Sequence, residues 1–369
     1  TATFTSLQLT GETVSLEETG SGTSNVIINV GSGETATFAG ISAASFDSGA
    51  DILTITGSSG NENITGPNVA SIISGAAGAD NISDGGDGGD SLTGGAGNDT
   101  YRFNTNDVDA GERIIEAASS GTDVVSVLTS TNFANMSASS FDNIEQIQFA
   151  GAGKTATFTG GQLTGETLAL TETVAGTSNL VVEVGSGETV TFANISASTF
   201  TSGSDIITIN GTTGNEIITG PNLASTISGN NGSDTITGGS AADTLNGNAG
   251  NDTITGGDGS DSLIGGAGDD TYIFNTNDVD AGESITEASS GGTDIISILT
   301  TTDFSDMSTA SFDEIEQILF SGASQTGTFT SGQLAAETIT INESATGTSV
   351  LIINIENSEV LDIFGVNNE

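Results

Sequence analysis

The chain has no cysteine, no histidine and no tryptophan, and among 369 residues it holds two prolines, two tyrosines and three basic residues. Each shortage removes a class of chemistry. Without cysteine there is no disulfide and no thiol nucleophile. Without histidine there is no Ser-His-Asp relay, and zinc, copper and haem lose their usual ligands. Arg102, Arg113 and Lys154 alone cannot neutralise a run of phosphates, which excludes nucleic-acid binding and docking on an anionic membrane surface. No apolar run approaches the roughly 18 residues of a membrane span. The sequence opens at Thr1 with no basic-then-apolar leader, which reads as a mature chain or a piece of a longer one.

What is abundant is acid and glycine. Asp and Glu number 48 against three Lys and Arg, for a formal charge of −45, and 53 residues are Gly. Self-repulsion on that scale, with few large side chains, argues for disorder unless something neutralises the chain. Carboxylates are the natural ligands of hard cations bound through oxygen.

The sequence repeats itself. Residues 155–167 (TATFTGGQLTGET) restate residues 1–13 (TATFTSLQLTGET), 154 positions on, and a third copy lies a further 171 on and ends at Thr338. The stretch NTNDVDAGE at 104–112 returns at 275–283, again 171 on. This divides the chain into units 1–154 and 155–325 and a partial third, 326–369. The offsets differ because of a nine-residue period in the middle of each unit. Its frames start at Gly57, Gly66, Gly75, Gly85 and Gly94, with Asp84 as a one-residue insertion, and then at Gly211, Gly220, Gly229, Gly238, Gly247, Gly256 and Gly265. The eighth position is large and apolar in every frame: Ile64, Ile73, Ile82, Leu92, Tyr101, Ile218, Ile227, Ile236, Leu245, Ile254, Leu263 and Tyr272. A glycine-rich solvated linker would not keep that column. The second array is longer by two frames, which is one full turn of a solenoid with two strands and two loops per turn.

The fullest frames read G-G-x-G-x-D-x-(Ile/Leu/Tyr)-x, as in GGAGNDTYR at 94–102, GGDGSDSLI at 256–264 and GGAGDDTYI at 265–273. Glycines allow a tight turn with carbonyls directed inward, the Asp adds a carboxylate, and the following triplet makes a short strand with its middle residue in the core. Between loops stacked about 4.8 Å apart, carbonyls and Asp from each form an oxygen cage of about six ligands, better matched to Ca²⁺ than to Mg²⁺.

This nonapeptide resembles the calcium-binding repeat of the RTX family, over 57–102 and 211–273. The run DTYRFNTNDVDAGE after the array, and NIEQIQF at 143–149 with EIEQILF at 314–320, look like the flanks of such arrays. The resemblance implies an all-β fold: right-handed parallel β-roll or β-solenoid arrays in tandem, with flanks that are β-solenoid or β-sandwich, solenoid being the preferred reading. The expected segments are 1–56 (β-rich), 57–102 (array 1), 103–154 (β-rich exit), 155–210 (β-rich), 211–273 (array 2), 274–325 (β-rich exit) and 326–369 (a cap or an assembly edge).

It further implies that alternate loops lie on opposite sides, with Ca²⁺ between frames two apart. One side of array 2 then carries Glu216, Asp234, Asp252 and Asp270. The other carries Asp243 and Asp261, with Ser225 a weak partner for Asp243. In array 1, Glu62, Asp80 and Asp99 share a side, and Asp90 faces Ser71. Carboxylate pairing gives about six Ca²⁺, with a range of about five to eight. Glu62 and Glu216 are longer than the Asp they replace, and Asp84 is expected to distort the loop carrying Asp90.

Other features are weighed beside these. Asp107, Asp109 and Glu112, repeated as Asp278, Asp280 and Glu283, form either an extra cation site or a solvated acidic turn. Asp51, Asp205, Asp123 and Asp294 read as turn and strand-start residues rather than ligands. Carboxylate pairs serve glycosidases, but carboxylates are everywhere here, and Tyr101 and Tyr272 hold the core position rather than a sugar platform; no enzymatic activity is expected. Phe38, Phe46, Phe192 and Phe200 are expected in the core, and short helical turns near 137–141 and 308–312.

The expected function is a non-catalytic, calcium-binding extracellular or bacterial cell-surface protein, exported by type I secretion, with calcium as structural mortar. Its expected partners are copies of itself in a filament or S-layer-like lattice, with neither nucleic acid nor membrane insertion; a cell-surface glycan is a further candidate. The alternative is a passive module that folds in external calcium on behalf of a larger enzyme or toxin. An adhesin stalk is a third reading, for which no binding tip is recognised.

Overall fold

The computed structural model describes residues 1–18, 22–43, 51–86, 88–118, 121–200, 204–287, 291–334, 339–344 and 347–355. Phe46 and, within the last segment, 335–338, 345–346 and 356–369 lie outside the described residues.

The chain forms two compact units, Thr1–Val181 with Ser196–Asp205, and Val182–Ile195 with Ile206–Glu369. The sequence boundary at 154/155 falls inside the first, because Thr155–Thr159 pairs back onto Thr131–Asn132 and Ala169–Glu172 onto Gln146–Phe149.

The first unit winds through two sheets. One runs in the order Ala2–Thr5, Asn25–Asn29, Ile52–Thr56, Ile72–Ala77, Ser91–Ala96, Arg113–Ile114. The other runs Thr35–Thr37, Asn63–Thr65, Asn81–Ser83, Thr100–Phe103, Val124–Val127, Gln146–Phe149, Ala169–Glu172, Ser196–Ala197. All neighbours are parallel. The second unit repeats the plan. Ile206–Asn210, Thr226–Asn231, Thr244–Ala249, Ser262–Ala267 and Ser284–Thr286 form one parallel series. Thr189–Thr191, Ile217–Thr219, Thr235–Gly239, Thr253–Gly257, Thr271–Phe274, Ile295–Ile298, Gln317–Phe320 and Thr340–Glu343 form the other. Thr302–Asp303, Thr326–Thr330 and Val350–Asn354 make a third short sheet. Among the described residues no helix is long and apolar enough to cross a membrane.

This is a parallel β-solenoid, and the flanks belong to it rather than to sandwiches. Register shows how the nonapeptide sets the coil. Within array 2 each strand pairs with the residue 18 positions on, Thr208 with Thr226, Thr226 with Thr244 and Thr244 with Ser262. One turn is therefore two nonapeptides. In array 1 the step lengthens to 19 between Ile72 and Ser91, where Asp84 is accommodated. In the flanks it widens, for example to 24 between Thr271 and Ile295. The longer second array adds one turn, as its two extra frames require.

All twelve eighth-position side chains are 1% exposed or less. They alternate between the two sheets, so each turn contributes two of them to a narrow core. Burial of each Ile or Leu stabilises the coil by roughly 1.5–3 kcal/mol. Tyr101 and Tyr272 are core residues as expected, as are Phe38, Phe192 and Phe200.

In the flanks the core becomes aromatic. Phe158 stacks on Phe133 at 4.7 Å and meets Phe141 edge-on at 5.1 Å. Phe329 repeats this with Phe304 and Phe312. The expected helical turns appear as 3₁₀ segments at Ala138–Ser140 and Thr309–Phe312. One-turn helices at Gly160–Leu163 and Ser331–Leu334 had no recognised signal. Gln162 Oε1 accepts the Thr159 N–H, and its amide donates to the carbonyls of Phe133 and Met136; Gln333 does the same with Thr330, Phe304 and Met307.

Candidate metal centre: stacked carboxylate loops

Each strand of the arrays is reached through a glycine turn. Gly232 and Gly250 have φ of +136° and +134°, which L side chains rarely adopt. A Cβ on Gly250 would overlap the carbonyl oxygen of Gly232, and one on Gly232 that of Gly214. Glycine here answers both conformation and contact: successive loops stack carbonyl against Cα.

The sixth position then falls at the head of its strand. Glu62, Asp80, Asp90, Asp99, Glu216, Asp234, Asp243, Asp252, Asp261 and Asp270 are all 3% exposed or less. One Asp oxygen has a fixed use. It accepts the backbone N–H of the equivalent residue one turn earlier: Asp234 Oδ1 from Glu216, Asp252 Oδ1 from Asp234, Asp270 Oδ1 from Asp252, each at 2.7 Å. On the opposite side Asp261 Oδ1 accepts from Asp243, and Asp243 Oδ1 accepts both the N–H and the hydroxyl of Ser225. Array 1 matches this, with Glu62 N–H to Asp80, Asp80 N–H to Asp99, and Ser71 N–H and hydroxyl to Asp90. The two-sided arrangement is the expected one.

The second oxygen is the decisive feature. Oδ2 of Asp80, Asp90, Asp99, Asp234, Asp243, Asp252, Asp261 and Asp270 is buried with no hydrogen-bond partner. In the full frames it lies against the first glycine of its own nonapeptide, as Asp252 does against Gly247. A buried, unpaired carboxylate oxygen is costly. A row of them, bordered by stacked glycine carbonyls, is the donor set of an oxygen-liganded cation.

Burial pushes these carboxyls upward. Asp99, Asp252 and Asp261 rise to about 6 and Asp243 and Asp90 to about 7, with desolvation the main cause, opposed by their hydrogen bonds and reinforced by neighbouring carboxylates. Asp80, Asp234 and Asp270 shift the same way.

Glu62 and Glu216 behave differently from the expectation that made them paired ligands. Their extra methylene lets both oxygens find partners: Glu62 accepts from Gly33 N–H and from the N–H and hydroxyl of Ser58, and Glu216 from Gly187 N–H and from the N–H and hydroxyl of Thr212. Burial alone would raise Glu62, but the Ser58 and Gly33 bonds outweigh it and hold it below the ordinary range. These two close the start of each ladder.

The ladders also run past the arrays. Asp123 Oδ1 accepts the Asp99 N–H and Asp294 Oδ1 that of Asp270, each at 2.8 Å; Glu145 and Glu316 accept from Asp123 and Asp294 in turn. Asp123 and Asp294 do begin strands, as expected, and are also the next rungs. Asp51 and Asp205 make the same bond to Ser24 and Ser178 in the flanks. Of the acidic turns, Asp107 and Asp278 cap their own loops through Asn104 and Asn275, and Asp109 and Asp280 accept from Gly88 and Gly259. Glu112 and Glu283 leave those turns to accept the N–H of Asp90 and Asp261, and each keeps a buried oxygen without a partner. The buried hydroxyls of Tyr101 and Tyr272 donate to Glu116 and Glu287. One carboxylate oxygen each from Asp270, Glu287 and Asp294 lie within 4.8 Å of one another. The sequence signal for these additions was weak: each sits in a turn of 22, 24 or 27 residues, outside the nine-residue count.

The family model of the RTX calcium-binding nonapeptide repeat matches the chain four times, at residues 75–104, 210–245, 222–254 and 237–272. The chain carries RTX-type calcium-binding repeats. The matches fall on the two arrays, where the unpaired Asp oxygens lie, and omit the frames of Glu62 and Ser71. No curated protein matches the chain. RTX repeats bind Ca²⁺, and the oxygen-only donor set fits that ion. The arrays are a calcium-binding β-roll module.

Proposed function

We propose that this chain is a non-catalytic extracellular structural protein, exported by type I secretion, whose arrays are rigidified by about six Ca²⁺ and which associates with copies of itself. The observation that carries the calcium part is the row of buried, unpaired Oδ2 atoms on successive turns. Bound calcium supplies positive charge between stacked loops. The Asp side chains hold their strands through Oδ1 and present Oδ2 to the ion, so ligation and backbone pairing share one residue. In the expected set of six pairs, the two that used Glu62 and Glu216 give way to Asp90–Glu112 and Asp261–Glu283, whose free oxygens are better placed for an ion. Calcium-free, the −45 chain is held open by its own charge; external calcium at about 10⁻⁴–10⁻³ M then drives folding.

Self-association is supported by one contrast. TATFT at 155–159 is packed, with Phe158 fully buried, whereas the same residues at the start of the chain form the edge strand Ala2–Thr5 with three of four residues exposed. Among the described residues Val350–Asn354 is likewise at the edge of its sheet, with Val350 and Ile352 exposed. Open parallel edges of this kind recruit further strands. Negative-stain microscopy in millimolar calcium, repeated after chelation, tests the reading. Filaments or sheets that disperse on chelation support it. Isolated particles in calcium overturn the assembly and leave a calcium-folded secretion module.

A further inference from the structure

Asp84 is the residue that interrupts the nine-residue period of array 1. It is fully buried, and neither of its carboxylate oxygens has a hydrogen-bond partner. The amides of Gly85 and Gly86 face it and favour its charge slightly, without a bond of ordinary geometry. One oxygen each from Asp84, Asp90 and Glu112 lie within 4.8 Å of one another, and all three residues are buried. The remaining bonds are accounted for. Asp90 Oδ1 takes the N–H and hydroxyl of Ser71, and Glu112 Oε2 takes the N–H of Asp90. Asp90 Oδ2 and Glu112 Oε1 are left without partners, as are both oxygens of Asp84. Arg113, the next residue, gives its Nε to Ser91 Oγ.

Two oxygens bound on opposite sides of a calcium ion at about 2.4 Å stand about 4.8 Å apart. The span of the cluster is therefore that of one ion's coordination sphere. Array 2 has no insertion, and among the described residues its equivalent pair, Asp261 and Glu283, gathers no third carboxylate within that distance.

We propose that Asp84 and Glu112, both outside the nonapeptide pattern, join the sixth-position Asp90 in a three-carboxylate calcium site tighter than the other repeat sites. This deepens the calcium reading above and rests on it. Affinity in calcium proteins rises with the number of charged ligands, from about 10⁻⁴–10⁻³ M in extracellular modules toward 10⁻⁷–10⁻⁵ M. The insertion adds a third carboxylate and both its oxygens at the cost of one residue of loop length. Such a site fills first as calcium rises and would nucleate array 1.

The test is calorimetric titration of calcium into the calcium-free full chain, beside Asp84→Asn and a variant with Asp84 deleted, which restores the nine-residue period. The wild type is expected to show one tight ion ahead of a weaker class. Both variants should bind that ion about 10-fold or more weakly while keeping the weaker class and, in excess calcium, the wild-type far-ultraviolet circular dichroism. A wild type with a single weak class, or variants that keep the tight ion, would overturn the proposal and leave the repeat sites standing. A wild type that binds no calcium would overturn both. If neither variant folds, a crystal structure of the wild type grown in calcium decides: an ion with Asp84 oxygen at about 2.3–2.6 Å supports the site, and no ion there, or one seated without Asp84, removes it.

Discussion

Replacing Gly250 by alanine probes the stacking on which the metal centre depends. Gly250 sits at φ +134°, and an added Cβ would overlap the carbonyl of Gly232 one turn away. A non-glycine residue in so sparsely populated a region costs about 1–3 kcal/mol. Relieving the overlap means parting two turns joined by Gly232 N–H to Ala249 O at 2.8 Å. Losing one such buried bond adds about 1–3 kcal/mol. The expected loss is about 2–6 kcal/mol, conformational and steric parts together. Gly161→Ala is the matched control: Gly161 lies in the one-turn helix Gly160–Leu163, and a Cβ there meets nothing within 4 Å. It should be neutral or stabilising by up to about 1 kcal/mol. Urea unfolding of both variants in saturating calcium, followed by circular dichroism, gives the comparison. A Gly250→Ala chain as stable as Gly161→Ala, within about 0.5 kcal/mol, would refute the stacked-carbonyl geometry.

Three further outcomes are expected. In chelator the fold should be more stable in acid. Asp252 and Asp261 rise to about 6, Asp243 and Asp294 to about 7 and Glu283 to about 8, against an unfolded value of about 4, so the folded chain holds more protons and loses stability as pH climbs from about 4 toward 8; a far-ultraviolet spectrum in chelator that is no more folded at about pH 5 than at about pH 8 would contradict this. Phe158→Ala, which empties a fully buried stack, should cost about 3–5 kcal/mol, while Phe4→Ala at the sequence-identical but open position should cost far less; equal losses in urea unfolding would remove the distinction between buried and edge copies. Asp294→Ala strips the acceptor from the Asp270 N–H and should destabilise by about 1–3 kcal/mol; unchanged thermal unfolding would return Asp294 to the role of a turn residue.

The coil itself was legible because periodicity is a backbone property. The eighth-position column fixed which side chains face the core, and Register 18 follows from two nine-residue frames per turn. The Asp ladder was legible for the same reason. Glu62 and Glu216 differ from the Asp rungs because one methylene changes what a carboxylate can reach, and the sequence pattern does not show that both their oxygens accept loop hydrogen bonds. Asp123, Asp294, Glu112 and Glu283 join the ladders from turns of unequal length, where spacing carries no signal. Asp84 looked like a defect in the period, yet the structure buries it against Asp90 and Glu112. The packing of TATFT depends on what lies over it, Phe133 and Phe141 in one copy and an open edge in the other, which no local motif encodes.

Calcium-dependent folding of the whole chain, followed by far-ultraviolet circular dichroism at neutral pH with chelator and then with increasing calcium, tests the central claim most directly. The account predicts a largely unfolded spectrum in chelator and a β-sheet spectrum that appears by about 10⁻³ M calcium and is not restored by magnesium. The same β-sheet spectrum and the same melting temperature with and without calcium would contradict it.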